Sequence, residues 1–197
     1  MKCEATMKQT LVISGHPDLA ASNANKIILD EISKSDPSIA IRKLDALYPD
    51  YRIDVEREQK TLLDTDTIVL QFPFYWYSVP AILKKWIDDV FCYGFAYGST
   101  GTKLHGKEFL LSFTIGGPAE SYTPLGFNHF PIRQLLHPLE QTAYLSGMTW
   151  NDPLFTHSMV YIPGVYNRLE DVEERAQEHA SRLRERICEI NSKNLEK

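Results

Sequence analysis

The chain has 197 residues, of which 43% are hydrophobic and 24% charged, a composition typical of a globular domain with a full core. Its formal net charge of −5 argues against a nucleic-acid partner, and no apolar run approaches the roughly 18 residues of a membrane span. The three cysteines have no metal-type spacing and residues 1–10 lack the apolar segment of a secretory signal, so we expect a cytoplasmic protein with reduced thiols and no resident metal.

Short apolar runs alternate with amphipathic segments along the chain, a pattern typical of βαβ units around a parallel sheet. In the first half the pattern predicts a strand over Thr10–Ser14, a helix from Ser22 or Asn23 to about Lys34, a strand over Ile39–Leu44, a helix over Val55–Asp64 and a strand over Thr67–Phe72 that stops at Pro73. The second half predicts a helix from Pro80 to Phe91, a strand over Phe109–Ile115, a helix around Ile132–Tyr144, a strand within Leu154–Ile162 and a helix over Leu169–Ile190. We therefore expect an α/β fold, a doubly wound five-stranded parallel sheet in the order 2-1-3-4-5. One domain is expected over residues 1–197, with residues 1–7 as a disordered extension.

In an open sheet of this order, ligands bind beyond the carboxyl ends of the strands, beside the point where the strand order reverses. The loops after the first, third and fourth strands form that crevice, and here they span residues 15–23, 73–79 and 116–129. These are also the three most unusual stretches of the sequence. The expected binding site and the unusual residues therefore coincide.

The first of these loops leads from a buried strand into a helix. A helix N-terminus offers free N–H groups and a favourable dipole to a phosphate. Ser22 and Asn23 can add side-chain donors, and His16 can contact the phosphate as a donor or a cation. The alternative is that Ser22 or Asn23 only caps the helix.

The second loop places Phe74, Tyr75, Trp76 and Tyr77 in a row after Pro73. Consecutive residues of an extended chain point to opposite sides, so these four rings cannot all face one core. A planar, partly apolar ligand accounts for their exposure. A dimer contact is the alternative, and both can hold together.

The third loop begins with Thr114 and the pair Gly116 and Gly117. Paired glycines at a strand end let backbone amides approach a flat ring closely, and those amides can bind its polar edge. A tight turn is the simpler explanation of the same pair.

Taken together, the three loops resemble those of the flavodoxin-like NAD(P)H:quinone oxidoreductase family. The matching stretches are 15–17 with Ser22 and Asn23, the long run 71–84, residues 95–97, and Gly116-Gly117 through Tyr122 and Gly126. Residues 126–131 are most similar to the bacterial branch, which contains general stress proteins, modulators of drug activity and ancillary subunits of potassium-efflux systems.

The resemblance implies a flavodoxin-like fold that binds FMN, with FAD as the alternative, at a homodimer interface. It also implies two-electron, ping-pong transfer from NADPH or NADH to a quinone-like acceptor. His16, Ser22 and Asn23 would hold the phosphate and ribityl chain. The isoalloxazine would lie against Pro73, Phe74, Tyr75, Trp76 and Tyr77, and its polar edge would meet Thr114, Gly116 and Gly117.

The candidate catalytic residues are Tyr122, Asn128 and His129. Tyr122 matches the family tyrosine that lies over the flavin. The family histidine that stabilises charge during hydride transfer is replaced by Asn128, with His129 next to it. A neutral amide donates a hydrogen bond but carries no proton at pH 7, so the proton source stays open among His129, Tyr122 and water.

Two other classes of function compete with the enzyme. One is a regulatory subunit that binds flavin or nicotinamide and docks on a membrane potassium-efflux protein, at the inner face of the membrane. The other is a small electron carrier, which the long aromatic run disfavours. Residues 101–108 imitate a phosphate-binding loop but run into a strand and carry Glu108 in place of Ser or Thr, which argues against a nucleotide triphosphate site. The remaining histidines, His157 among them, are assigned surface or packing roles.

Overall fold

A computed structural model describes residues 9–193, which form six β-strands and seven α-helices. In chain order these are β1 (Thr10–Ser14), α1 (Asn25–Ser35), β2 (Ala40–Lys43), α2 (Leu44–Leu47), α3 (Val55–Leu63), β3 (Thr67–Pro73), α4 (Ala81–Val90), β4 (Glu108–Thr114), α5 (Ile132–Leu135), α6 (His137–Leu145), β5 (Thr149–Trp150), β6 (Leu154–Thr156) and α7 (Leu169–Lys193). The predicted extension over residues 1–7 lies outside the described residues. None of the helices within residues 9–193 is long and apolar enough to cross a membrane.

The strands form one parallel sheet in the order β2-β1-β3-β4-β5, which confirms the predicted order. The fifth position holds two short strands, because β5 and β6 both pair with β4. The prediction of five strands missed β5, whose two residues are too few to show a hydrophobic pattern. A break at residues 151–153, which ends with Pro153, separates β5 from β6.

Helices cover both faces of the sheet, as a doubly wound fold requires. One hydrophobic cluster joins the sheet to α1 and α7, and a second joins it to α2, α3, α4, α5 and α6. Every residue of β3 and of β4 is buried, which explains their nearly continuous apolar sequences. Each fully buried Leu, Ile or Phe side chain contributes roughly 1.5–3 kcal/mol of transfer free energy.

Several predicted elements have different bounds in the structure. The single helix expected around Ile132–Tyr144 is two helices, because Pro138 has no N–H for the carbonyl four residues earlier and instead lies in the first turn of α6, where proline is tolerated. The strand expected over Ile39–Leu44 ends at Lys43, where α2 begins at once. In addition, β3 includes Pro73, although proline donates no ladder hydrogen bond.

A fully buried carboxylate on α3 connects β2 with α4 through hydrogen bonds. The Oε2 atom of Glu58, on α3, accepts hydrogen bonds from Arg42 Nε at 2.9 Å and Trp86 Nε1 at 3.0 Å. Its Oε1 atom accepts from the Tyr48 hydroxyl and from the other end of the Arg42 guanidinium. Glu58 is 0% exposed, so its carboxylate has no contact with water. These four hydrogen-bond donors take the place of the lost water and stabilise the buried charge.

Candidate active site

A cleft of about 700 Å³ opens at the carboxyl ends of β1, β3 and β4, where the strand order reverses. It is lined by His16, Pro17, Asp18, Ala21, Ser22, Asn23, Ala24, Asn25, Pro73, Phe74, Tyr75, Thr114, Gly116, Gly117, Met159, Val160, Tyr161 and Tyr166. Nine of the twelve predicted cofactor-binding residues are in this lining. Trp76, Tyr77 and Tyr122 are outside it.

One end of the cleft is the N-terminus of α1. The Ser22 hydroxyl oxygen accepts a hydrogen bond from the Asn25 amide at 2.9 Å, so Ser22 does stabilise the first turn. The backbone N–H groups of Asn23 and Ala24 have no acceptor among residues 9–193. This end of the cleft therefore presents free amide donors at a helix N-terminus, which suits a phosphate group.

His16 is buried at the same end of the cleft. Its Nδ1 atom accepts a hydrogen bond from the Asp18 amide at 3.1 Å, which places the ring proton on Nε2. Burial lowers the pKa of His16, and the neighbouring Asp45 and Asp18 only partly offset this effect. A neutral His16 ring can therefore donate a hydrogen bond from Nε2 into the cleft.

The aromatic run after β3 divides between the cleft and the solvent. Phe74 and Tyr75 contribute to the cleft wall beside Pro73. Trp76 and Tyr77 have φ angles of 48° and 64°, and the Ser78 amide donates to the Tyr75 carbonyl at 3.0 Å. Two consecutive residues with positive φ make a tight turn that carries both side chains away from the cleft, so that Trp76 is 92% exposed.

The paired glycines face the cleft with space beside them. A Cβ atom on Gly116 would lie 3.5 Å from Val160, and one on Gly117 would lie 3.5 Å from Tyr122, both ordinary contacts. Neither glycine has a positive φ, and neither backbone N–H has an acceptor within residues 9–193. The fold itself therefore does not require glycine at either of these two positions.

Gly15 provides the contrast, because here the fold requires glycine. A Cβ atom at Gly15 would lie 2.6 Å from Leu83 Cδ2 and 2.7 Å from Leu83 Cβ. Close packing of α4 against the end of β1 explains this residue without any ligand.

The three candidate catalytic residues lie in different surroundings. Tyr122 is half-buried over Gly117, and burial raises the pKa of its hydroxyl. Asn128 Oδ1 accepts a hydrogen bond from the Tyr77 hydroxyl at 3.0 Å. His129 is exposed and has a φ of 63°, and no hydrogen bond of its ring is found among the described residues.

The structure also places His157 at this site, which the sequence did not indicate. Its ring centroid lies 5.4 Å from that of Tyr122, and its Nδ1 atom donates to the Gly117 carbonyl at 3.3 Å. Burial lowers the pKa of His157, so the ring is neutral at pH 7. Its sequence neighbours show no motif, and only the return of the chain after β6 brings it beside Tyr122.

A fourth segment of the cleft, Met159–Tyr161 with Tyr166, was also missed from the sequence. Its apolar residues were interpreted as part of the last strand, whereas β6 ends at Thr156. The Asn167 amide nitrogen donates to the carbonyls of Ser158 and Val160 at 3.0 and 2.7 Å and holds the loop in place.

A parallel sheet of this order, with a helix N-terminus, an apolar wall and free amides around the crevice, defines a flavodoxin-like protein. The family model described as flavodoxin-like fold matches residues 8–187, and the chain belongs to that family.

Two curated relatives match most of the chain. An uncharacterized NAD(P)H oxidoreductase of Bacillus subtilis, YrkL, is 46% identical over 148 residues, 75% of this chain and 84% of the relative. The glutathione-regulated potassium-efflux system ancillary protein KefG of Cronobacter sakazakii is 41% identical over 154 residues, 77% of this chain and 83% of the relative.

Two solved structures are also similar. The general stress protein 14 of Treponema denticola, in complex with FMN, has a TM-score of 0.79 and 32% identity and covers 88% of this chain and 94% of its own. The NADPH-quinone reductase of P. pentosaceus has a TM-score of 0.70 and 30% identity and covers 87% of this chain and 97% of its own.

Proposed function

We propose that the protein is an FMN-dependent NAD(P)H oxidoreductase that passes two electrons to a quinone-like acceptor in a ping-pong reaction. The observation that carries the proposal is the cleft itself, which combines a phosphate-type helix N-terminus with a flat apolar wall and unpaired glycine amides. The names of the oxidoreductase and quinone-reductase relatives and the FMN complex of the Treponema protein support the same assignment.

The residues of the cleft fit FMN along its length. The amides of Asn23 and Ala24, the Ser22 hydroxyl proton and the neutral His16 ring would hold the phosphate. The wall of Pro73 and Phe74 would support the isoalloxazine. The free amides of Gly116 and Gly117 would donate to its polar edge.

When bound, FMN would supply hydride transfer from a nicotinamide and onward to the acceptor, and the chain would supply position, orientation and protons. The Tyr122 hydroxyl is protonated at pH 7, and burial raises its pKa further, so it can donate a hydrogen bond over the ring. The Asn128 amide oxygen holds the Tyr77 hydroxyl. His157, next to Tyr122, is an additional group that can exchange a proton on this side of the cleft.

A homodimer completes the proposal. Three large apolar side chains of the loop after β4 point into solvent, with exposed fractions of 100% for Leu125, 86% for Phe127 and 55% for Phe130, and Trp76 is exposed as well. Exposed apolar groups of this size are typical of an interface. Light scattering after size exclusion tests it, and Phe127→Ser should weaken a dimer that Leu63→Ser, at an exposed site on α3, leaves intact.

The decisive experiment is anaerobic stopped-flow absorbance after FMN or FAD has been offered to the apoprotein. We expect uptake of FMN, rapid bleaching of the flavin band with NADPH or NADH, and rapid return of the band with a benzoquinone. The faster nicotinamide identifies the donor. Failure to bind either flavin would overturn the proposal.

The similarity to KefG favours a second candidate, a flavin-binding ancillary subunit of a potassium-efflux system at the inner face of the membrane. The same experiment separates the two functions. FMN uptake followed by negligible turnover in both half-reactions would favour the subunit.

A further inference from the structure

A layer of buried polar side chains crosses the sheet directly beneath the cleft. Ser14, Gln71 and Ser112 occupy the same register on β1, β3 and β4, and all three are 0% exposed. They face α1 and α7, on the side where their neighbours Val12, Val69 and Leu110 build an apolar core. Polar groups in such a core are costly unless they are hydrogen-bonded, so their arrangement calls for an explanation.

The layer continues into α7 through His179, which is completely buried. The Nε2 atom of His179 lies 2.8 Å from the Ser112 hydroxyl, and its Nδ1 atom lies 2.8 Å from the Thr156 hydroxyl. Both ring nitrogens are therefore paired. Nothing in the proposed reaction uses this histidine, which is separated from the cleft by the polar layer.

In the other direction the layer reaches the cleft. The Ser112 hydroxyl donates to Gln71 Oε1, and Gln71 Nε2 donates to Asn25 Oδ1 at 2.9 Å. Asn25 Nδ2 then donates to Thr114 Oγ1 at 3.0 Å. Asn25 and Thr114 both line the cleft, so five hydrogen bonds connect Thr156 and His179 with its wall.

All five hydrogen bonds run in one direction. Ser112 uses its single proton on Gln71, so it must accept from His179 Nε2. Because burial keeps the ring neutral, His179 Nδ1 has no proton and accepts from the Thr156 hydroxyl. At the far end Thr114 accepts from Asn25, which leaves the Thr114 hydroxyl proton free to donate.

We propose that His179 is a positioning residue for the cofactor cleft, which acts through Ser112, Gln71 and Asn25 to present the Thr114 hydroxyl as a hydrogen-bond donor to the bound flavin. This inference rests on the proposed binding of FMN. The histidine orders the amide groups of Gln71 and Asn25, which could otherwise turn over, and so fixes which end of the chain is the donor. Replacing it allows the amides to reverse and the Thr114 proton to turn inward.

The test compares four substitutions by fluorescence-quenching titration with FMN and by the midpoint potential of the bound flavin. His179→Leu removes both ring hydrogen bonds, and His179→Gln keeps a donor in place of Nε2. Leu183→Ala is the matched control, because Leu183 is a fully buried residue of α7 with no part in the polar layer. Thr114→Val removes the final donor itself.

We expect His179→Leu to weaken FMN binding about tenfold, the equivalent of one well-made hydrogen bond. The midpoint potential should fall, because a lost donor destabilises the more negative reduced flavin. His179→Gln should restore most of the FMN affinity and most of the midpoint potential. In Leu183→Ala the FMN affinity should stay within about twofold of the parent value, and the midpoint potential should equal that of the parent. His179→Leu should add little to Thr114→Val, since both act through one hydroxyl.

Equal FMN affinity and equal potential in His179→Leu and Leu183→Ala would overturn the positioning role, and so would full additivity with Thr114→Val. If His179→Leu does not fold, Thr156→Val, which removes only the outermost hydrogen bond, is compared with the parent by the same criteria. A parent protein that binds no FMN would instead overturn the proposed function, so the two failures are distinguishable.

Discussion

Two buried serines in equivalent positions should respond in opposite ways to the same substitution. Ser14 and Ser112 are each 0% exposed and are aligned across the sheet through Gln71. The Ser14 hydroxyl has no hydrogen-bond partner among the described residues, whereas the Ser112 hydroxyl binds both Gln71 and His179. A comparison of the two serines therefore separates the free-energy cost of burying a hydroxyl from the free energy gained when that hydroxyl forms hydrogen bonds.

The expected magnitudes follow from the groups that each substitution leaves behind. Ser112→Ala leaves one oxygen of Gln71 and one N–H of His179 buried and unpaired, at a cost of about 1–3 kcal/mol each, so the free energy of unfolding should fall by about 2–6 kcal/mol. Ser14→Ala removes an unpaired hydroxyl and leaves no partner unsatisfied, so it should be neutral or stabilising by up to about 1 kcal/mol.

Urea unfolding followed by circular dichroism at pH 7.5 measures both. With a denaturant dependence of about 2 kcal/mol per molar urea, Ser112→Ala should lower the midpoint by about 1–3 M and Ser14→Ala should leave it unchanged or raise it slightly. Equal losses in the two variants would refute the reasoning, because they would show that pairing within the polar layer contributes nothing beyond packing.

Three further predictions follow from the structure. Gly117→Ala should lower FMN affinity at least tenfold without changing the melting temperature, whereas Gly15→Ala should lower the melting temperature because its Cβ meets Leu83 at 2.6 Å. Thermal unfolding of the apoproteins measures stability, and flavin titration measures affinity. A loss of stability in Gly117→Ala would contradict the conclusion that the fold does not require glycine there. Glu58→Gln should destabilise the fold by about 3–5 kcal/mol, because it leaves the Arg42 guanidinium without its buried counter-charge. Urea unfolding measures the loss, and a midpoint within roughly 0.3 M of the parent would contradict this prediction. Burial lowers the pKa of His179 to about 3, below its ordinary value of 6.5, so on acidification the unfolded state binds a proton at this residue and the folded state does not. The contribution of His179 to stability is complete well above pH 6.5 and falls by about 2 kcal/mol by pH 5. The decline in the free energy of unfolding over this range should therefore be smaller by about that amount in His179→Gln, while the parts due to His16 and His157 remain.

The order of the sheet and the three loops of the cleft could be predicted because both depend on local pattern. Short, β-branched apolar runs such as Thr67–Phe72 are typical of strands buried on both faces, and their alternation with helices leaves few topologies. Once the order is known, the crevice follows by geometry, which is why His16, Ser22 and Gly116 could be placed at one site before any coordinates.

The remaining features depend on contacts between residues far apart in the chain, which no local pattern encodes. The polar layer joins Asn25, Gln71 and Ser112 to His179, which is 67 residues beyond Ser112. His157 reaches the site only because β6 ends at Thr156 and the chain turns back. The direction of the aromatic run was also hidden, since the positive φ of Trp76 is a property of the turn and not of the residue type.

The three tryptophans of the chain lie in very different surroundings, and this gives the protein an intrinsic optical probe. Trp86 is fully buried and Trp150 is half-buried, whereas the Trp76 indole is in solvent beside the mouth of the cleft. Its emission should therefore lie at the red, water-exposed limit and shift to the blue when a second surface covers it, and a flavin nearby should quench it by energy transfer. With Trp150→Phe as background, Trp76 and the fully buried Trp86 remain. The water-exposed, red part of the emission then comes from Trp76 and would follow assembly and cofactor uptake in real time without any attached dye.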